Sequence, residues 1–307
     1  MKHGRVLLQN FPRANKMADP PNRRKMAPCS VCIEPLRELA AEAYELAHRR
    51  CGSCCNTHAL WSYIRLSRAS IGAEREGSPL EPVLAELLTS EQPTILIAGA
   101  ADTGLLALVA RAASKRDANI VVLDRCDTPL EICRRLSTRW GLPVSTIHQD
   151  LRDLEVCDRF DLVLLHHTLQ FVPAEDQCKV LLNLARALRS TGHLVHAFNI
   201  SDPLSGSLAI EHRNSYPEWV LQELTRLGIP FPEPEDAFRA RLGAHANNRE
   251  RHTGVFKGLL EVDRLMHAAG FYVERTMEVQ PELITPYRLL VSKLNMQRIV
   301  EILHLSS

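Results

Sequence analysis

The sequence predicts an α/β fold: a doubly wound, mostly parallel sheet of seven strands with a helical N-terminal extension. Short apolar runs alternate with amphipathic helical segments from residue 94 to residue 200. These runs are continuously apolar, which is typical of strands that are buried on both faces of a parallel sheet. Two further strand-like segments, 271–279 and 286–294, have no helix between them and predict an antiparallel closing pair.

The individual elements follow from apolar periodicity and from turn residues. The first five strands are predicted at 94–99, 119–124, 144–150, 160–166 and 193–199. The helices that connect and follow them are predicted at 104–115, 128–141, 173–192 and 256–270. Right-handed crossovers between parallel strands then place helices on both faces of the sheet.

Composition divides the chain into three parts. Residues 1–26 are basic and have no periodic apolar face, so we expect a disordered leader, and Met17 and Met26 leave open whether it belongs to the native protein. Residues 27–90 predict a helical cap, with helices at 34–50, at 56–70 and from Ser78. Residues 91–307 hold the α/β domain, which is interrupted at about 201–255 by a polar insert with a helix at 217–227.

Charge and hydropathy narrow the function classes. Lys and Arg number 37 against 36 Asp and Glu, and aromatic residues make up 5%, so a nucleic-acid partner is not favoured. No apolar run reaches the roughly 18 residues of a membrane helix. We therefore expect a soluble, cytoplasmic protein with no membrane partner.

The nine cysteines include two Cys-x-x-Cys pairs, Cys29 with Cys32 and Cys51 with Cys54. The predicted helix between the pairs would separate them by roughly 24 Å, which exceeds the span of one tetrahedral metal site. His58 could complete a local cluster with Cys51 and Cys54, but Cys55 is then unexplained. We expect free or buried thiols and no metal site, and metal binding stays open as the alternative.

Polar residues stand where each predicted strand ends. A glycine turn, Gly99 to Gly104, follows the first strand, and Asp124 ends the second, twenty residues beyond Gly104. Asp150 follows the third strand, and His166 and His167 follow the fourth. An acid at that distance from a glycine turn suits a ribose, and Asp150 suits an adenine amino group. A helix cap for Asp124 and a solvated turn for Asp150 are the alternatives.

The order of these segments resembles the class I S-adenosylmethionine-dependent methyltransferases. "ILIAGAADTG" resembles the first motif of that family, "VVLD" the second, and "FDLVLLHHTLQFVP" the fourth. "IHQDLRDL" is similar to the adenine segment, and "VLLNLARALRSTGHLVH" to the helix and strand that follow. The resemblance covers residues 94–200 closely and 256–293 loosely. Two departures stand in the first motif: Ile97 and Ala98 replace the usual acid, and Ala101 replaces the middle glycine.

The resemblance implies S-adenosylmethionine as the cofactor of a Rossmann-like methyltransferase domain. It assigns Gly99, Ala101 and Gly104 to the methionine portion, with Asp102 partly replacing the missing acid. The remaining cofactor-binding residues that it implies are Asp124 at the ribose, Asp150 and Leu151 at the adenine, His166 closing the site, and Arg125, which follows Asp124.

The leading hypothesis is in-line transfer of a methyl group to a small-molecule acceptor. His167 is the candidate base, and His212, Tyr216 and Trp219 of the insert are the candidate acceptor contacts. A non-catalytic cofactor-binding regulatory or assembly module is the main alternative, and a nucleotide-cofactor oxidoreductase is a further one, although no Tyr-x-x-x-Lys pair supports it. Apolar faces on the N-terminal helices would also permit a homodimer. The acceptor and the methylated atom are not specified by these residues.

Overall fold

The computed structural model describes residues 33–67, 69, 79–200, 205–249, 256–279, 287–295 and 297. The leader, Cys29 and Cys32 lie outside the described residues. The helices are α1 (Ile33–Arg50), α2 (Cys55–Leu66), α3 (Leu80–Leu87), α4 (Gly104–Ala112), α5 (Asp127–Trp140), α6 (Ala174–Ala187), α7 (Ser205–Arg226), α8 (Glu235–Arg249) and α9 (Leu259–Ala268). The strands are β1 (Thr94–Ala98), β2 (Asn119–Asp124), β3 (Val144–His148), β4 (Phe160–His166), β5 (Leu188–Asn199), β6 (Phe271–Val279) and β7 (Tyr287–Leu294).

The predicted fold class is confirmed. The described strands form one seven-stranded sheet in the order β3-β2-β1-β4-β5-β7-β6. Strands β1 to β5 pair in parallel, and β7 inserts antiparallel between β5 and β6. The order of the strands reverses between β1 and β4, and ligands of such sheets bind at the carboxyl ends of the strands beside that reversal.

Two apolar layers cover the sheet. One contains residues of α3, α4, α5 and the buried side of α1, including Leu39, Ala43 and Leu46. The other contains residues of α6 and α9 and the opposite sides of the same strands. Burial on both faces explains why the central strands are continuously apolar.

A third apolar cluster lies outside the sheet and joins the N-terminal helices to the insert. It combines Tyr63 and Ile64 of α2 with Leu224 of α7 and Phe238 of α8, all nearly inaccessible to solvent. Arg241 of α8 also lies over the ring of Tyr44 in α1, 5.9 Å from its centroid. The cap and the insert therefore form one helical layer rather than two independent additions.

Several predicted boundaries are wrong, each for a local reason. The helix expected at 173–192 ends at Ala187, because Leu188 already pairs with Phe160 and the chain is extended from there. The helix expected at 217–227 runs from Ser205 to Arg226 and continues through Pro217, and α8 was not predicted. Helix α5 begins at Asp127, one residue before its predicted start, with Cys126 as its N-cap residue.

The apolar faces that motivated a homodimer are covered within the chain. The described apolar side chains of α1 pack on the sheet side or in the helical layer, and those of α2 pack against α7 and α8. A homodimer therefore remains a prediction, and the apolar faces of α1 and α2 no longer support it. None of the helices in the described part of the chain combines the length and the apolar character needed to cross a membrane.

Candidate functional site

The turn after β1 requires glycine at its first position. Gly99 has φ +86°, and a Cβ built there would lie 2.4 Å from Thr168 Cγ2. Its N–H donates to the Leu123 carbonyl at 2.8 Å, which ties the turn to β2. The turn that follows β1 thus lies against the residues that follow β4, on the two sides of the strand reversal.

Asp124 holds this turn through its carboxylate. Its Oδ2 accepts the N–H of Ala100 at 2.9 Å, and its Oδ1 accepts the N–H of Cys126 at 2.7 Å. Burial raises the pKa of Asp124 and outweighs these two hydrogen bonds, which lower it. Each carboxylate oxygen can accept a second hydrogen bond, so the group can bind two hydroxyls while it holds the turn. The alternative left open by the sequence, that Asp124 caps a helix, does not hold. The N-cap residue of α5 is Cys126, and this helix has no side-chain cap.

Asp102 faces the helical layer. Its Oδ1 accepts the N–H of Gly104 at 2.8 Å, and its Oδ2 forms a buried ion pair with Arg65 of α2. The side chains of Arg65 and Asp102 are 3% and 8% exposed. The ion pair therefore fixes the start of α4 to the cap, and sequence reasoning missed Arg65 because no local pattern links residues 37 positions apart.

The segment after β3 is organised by an internal ion pair. Asp150 Oδ1 accepts from the backbone N–H and Nε of Arg152, and its Oδ2 accepts from Nη2 at 2.9 Å. These contacts lower the pKa of Asp150, and both its oxygens already have a partner. Leu151 is buried, whereas Arg125 is exposed and its carbonyl lies 3.1 Å from His148 Nε2. The roles expected for Asp150, Leu151 and Arg125 remain predictions.

An aromatic cluster stands at the end of β4. The rings of His166 and His167 lie 4.5 Å apart, and the ring of Tyr287 lies 5.2 Å from that of His167. His167 has φ +56°, an uncommon conformation for a residue with a side chain, and its N–H donates to the Ala197 carbonyl at 2.8 Å. Backbone conformations of this kind concentrate at functional sites. Sequence reasoning missed Tyr287, although its place at the start of the antiparallel strand β7 was a usable signal.

The three candidate acceptor contacts all belong to α7. Tyr216 is half-buried and packs against the helical layer, and Trp219 donates from Nε1 to the Ser67 carbonyl at 3.2 Å. The Trp219 side chain remains 43% exposed. The side chain of His212 lies outside the described residues. The structure therefore places Tyr216 and Trp219 at the junction between the insert and α2, and their contact with an acceptor stays a prediction.

A cluster of three cysteines and one histidine joins the cap to the end of β2. The Sγ of Cys51 lies 3.4 Å from His58 Nδ1 and 3.3 Å from Cys126 Sγ, and Cys54 Sγ lies 3.8 Å from Cys126 Sγ. Burial opposes charge on both His58 and Cys126, but their mutual contact raises the pKa of His58 well above its usual value and lowers the pKa of Cys126 to about 6. The sequence had suggested the grouping of Cys51, Cys54 and His58 and missed Cys126.

Known proteins are similar to the part of the chain that contains the strand ends described above. Residues 99–196 match the family described as "Methyltransferase domain". The carboxy-S-adenosyl-L-methionine synthase of Glaesserella parasuis serovar 5 (strain SH0165) is 25% identical over 138 residues. That match covers 44% of this chain, and the chain spans 57% of the length of that relative.

Two solved structures share the fold at low identity. The Burkholderia thailandensis 1,6-didemethyltoxoflavin-N1-methyltransferase is 16% identical with a TM-score of 0.50, over 89% of this chain and 93% of its own. A structure described as a putative Zn-dependent alcohol dehydrogenase from Rhodobacter sphaeroides is 15% identical with a TM-score of 0.52, over 78% and 98%. At these identities the two structures bear on the fold alone. The domain match contains the glycine turn, Asp124 and His166, so this part of the chain is similar to a methyltransferase domain, and the two structures share its fold.

Proposed function

We propose that the chain transfers the methyl group of S-adenosylmethionine to a small-molecule acceptor by in-line displacement. The observation that carries the proposal is the convergence of three features at one edge of the sheet. The glycine turn, the carboxylate of Asp124 and the ring cluster of His166, His167 and Tyr287 stand at neighbouring strand ends. That edge is where doubly wound sheets bind their ligands.

The residues present fit S-adenosylmethionine. The backbone at Gly99 has φ +86° and packs directly against Thr168, so the turn after β1 lies beside the residues that follow β4. Asp124 retains acceptor capacity for the two ribose hydroxyls. Burial raises its pKa, and a neighbouring pair of hydroxyl donors would favour the charged form.

The cofactor supplies an activated methyl group whose departure leaves S-adenosylhomocysteine. The chain must then position the acceptor in line with that methyl and, for a hydroxyl or thiol acceptor, remove its proton. His167 is the proposed base, because it stands at the end of β4 with its ring against His166 and Tyr287. Its backbone N–H is held by the hydrogen bond to the Ala197 carbonyl, which fixes the position of its Cα atom at the end of β4.

The helical layer supports a small acceptor rather than a polymer. Arg65 of α2 reaches the glycine turn through Asp102, so the cap contacts the proposed cofactor edge of the sheet. Trp219 of α7 contacts the end of α2 through the Ser67 carbonyl. The nearly balanced net charge of +1 also gives no field to attract nucleic acid. The cytoplasmic location expected from the sequence stays a prediction.

The test is product analysis with a panel of small hydroxyl, amine and thiol compounds. Mass spectrometry would follow both the methylated acceptor and the nucleoside, whose identity as S-adenosylhomocysteine distinguishes methyl transfer from conversion to another sulfonium compound. The key variant is His167→Asn, since asparagine tolerates the left-handed conformation and removes only the imidazole. We expect turnover to fall at least about 100-fold while S-adenosylhomocysteine affinity is kept.

Two outcomes would contradict the proposal. Tight binding of S-adenosylhomocysteine without transfer to any acceptor would favour the non-catalytic module. Binding of a nicotinamide cofactor in place of S-adenosylhomocysteine would favour the oxidoreductase. Full activity of His167→Asn would leave methyl transfer standing and remove His167 as the base.

A further inference from the structure

We propose that Cys51, Cys54, His58 and Cys126 bind one zinc ion in a closed tetrahedral site. Their ligand atoms all lie within 4.8 Å of one another, although they come from two parts of the chain separated by more than sixty residues. The proposal reverses the expectation from the sequence that the chain has no metal site. It is independent of the proposed methyl transfer.

The spacing of the ligand atoms fits a tetrahedral metal. With Zn–S bonds of about 2.3 Å and a Zn–N bond of about 2.0 Å, tetrahedral ligand atoms lie roughly 3.5–3.8 Å apart. The measured separations are 3.4 Å from Cys51 Sγ to His58 Nδ1 and 3.3 Å from Cys51 Sγ to Cys126 Sγ. Cys54 Sγ lies 3.8 Å from Cys126 Sγ. A small inward or outward adjustment of each side chain therefore completes the site.

Local backbone structure brings the first three ligands together. Cys51 follows α1 directly, with its N–H bonded to the Ala47 carbonyl at 2.9 Å. A short turn then leads to Cys54, whose carbonyl accepts the N–H of His58 at 3.2 Å. Residues four apart lie on one face of a helix, so His58 stands beside Cys54. A Cys-x-x-Cys pair on a turn followed by a histidine is a spacing that zinc sites use.

The fourth ligand comes from the α/β domain. Cys126 follows β2 by two residues, and its backbone N–H donates to Asp124 Oδ1 at 2.7 Å. His58 is 8% exposed and Cys126 7%, while Cys51 and Cys54 are half-buried. Thr128 Oγ1 lies 3.1 Å from Cys51 Sγ, where its hydroxyl can donate to a thiolate. Three thiolates and one imidazole satisfy zinc without an open coordination position, which is typical of a structural site.

The alternative to zinc binding is a disulfide between Cys51 and Cys126. The Sγ atoms of Cys51 and Cys126 are 3.3 Å apart, whereas a bonded pair would be about 2.0 Å apart. A disulfide would use two of the four groups and leave Cys54 and His58 unexplained. Zinc accounts for all four, and its ligand set matches the soft and borderline donors that zinc selects.

The ion would fasten the cap to the strand end that carries Asp124. The ligands on the cap side flank the turn between α1 and α2, and the ligand on the other side lies two residues from Asp124. Arg50, the residue before Cys51, also pairs with Asp127, the residue after Cys126. The metal and this ion pair therefore hold the same two segments together.

The test is the metal content of the full-length chain. The protein is purified under reducing conditions from zinc-supplemented cells, without an affinity tag that binds metal. We expect about one equivalent of zinc per chain, with an X-ray absorption edge fitted by three sulfur atoms and one nitrogen atom. Replacement by Co²⁺ should give the intense visible absorption of a tetrahedral thiolate site. Cys126→Ser and His58→Ala should each lose at least about 90% of the zinc.

Two variants serve as matched controls. Cys157→Ser changes an exposed thiol outside the cluster, and Cys55→Ser changes the neighbour of Cys54. Both should keep the zinc, and circular dichroism should show that every variant compared is folded. If Cys126→Ser does not fold, the absorption edge and the cobalt spectrum of the wild-type chain decide. A folded, reduced wild-type chain without zinc, a coordination shell dominated by oxygen, or a folded Cys126→Ser variant with full zinc content would overturn the proposal.

Discussion

The buried ion pair between Arg65 and Asp102 predicts a large loss of stability when its cation is removed. The two side chains are 3% and 8% exposed, and Asp102 also holds the N–H of Gly104. Arg65→Met removes the cation and retains most of the apolar stem, so it leaves a buried carboxylate without that partner. Breaking a buried pair in this way costs about 3–5 kcal/mol of the free energy of unfolding.

The double variant separates charge from packing. Asp102→Asn keeps an oxygen for the Gly104 N–H, so Arg65→Met combined with Asp102→Asn should recover about 2 kcal/mol relative to Arg65→Met alone. Arg239→Met is the control, because Arg239 pairs with the exposed carboxylates of Glu218 and Asp236 and should cost about 1 kcal/mol or less. Urea unfolding with reductant present measures all four proteins. A cost for Arg65→Met equal to that of Arg239→Met would show that the ion pair of Arg65 with Asp102 contributes no more than an exposed one.

Three further predictions concern the sheet edge and the core. Gly99→Ala should weaken S-adenosylhomocysteine binding at least about tenfold in calorimetry, because the new Cβ would lie 2.4 Å from Thr168 and the backbone φ is +86°. Gly243→Ala in α8 is the control. Its new Cβ would meet nothing within 4 Å, so it should leave binding unchanged. Burial and the charge of His166 lower the pKa of His196 to about 3, so the unfolded chain takes up a proton first as pH falls below about 6.5 and stability is lost in that range. Chemical denaturation should therefore show wild type losing about 2 kcal/mol more than His196→Leu between pH 8 and pH 5, and equal losses would contradict a neutral, buried His196. His167→Asn should lower turnover without weakening cofactor affinity, and a parallel loss of affinity would instead assign His167 to the cofactor.

The sheet was predictable because its signals are local. Apolar runs identify β1, β2 and β4, and the closing pair was predicted from two strand-like segments of the sequence with no helical pattern between them. The place of Asp124 was predictable for the same reason, since it follows directly on the apolar run that forms β2. What the sequence could not show is that its two oxygens also hold the N–H groups of Ala100 and Cys126.

The missed residues all depend on contacts between distant segments. Arg65 reaches Asp102, Tyr287 reaches His167, and Cys126 reaches Cys51, in each case across more than thirty residues. No periodicity or spacing rule connects such pairs, because they are set by how the helical layer and β7 pack. The helix expected to continue to Gly192 was wrong for a related reason, since pairing of Leu188 with Phe160 overrides the helical pattern.

Binding of the cofactor at Asp124 can be measured by calorimetric titration of the reduced protein with S-adenosylhomocysteine, beside an Asp124→Ala variant. Hydrogen bonds that two ribose hydroxyls donate to a carboxylate are charge-assisted, so their loss should weaken binding by about 10- to 100-fold. Asp124→Asn, which keeps one acceptor oxygen for the backbone, should fall between the two. Saturable binding by the wild type that the variant loses is the predicted result. A folded wild type that does not bind S-adenosylhomocysteine would contradict the cofactor assignment. An Asp124→Ala variant that binds it equally well would contradict the ribose contact.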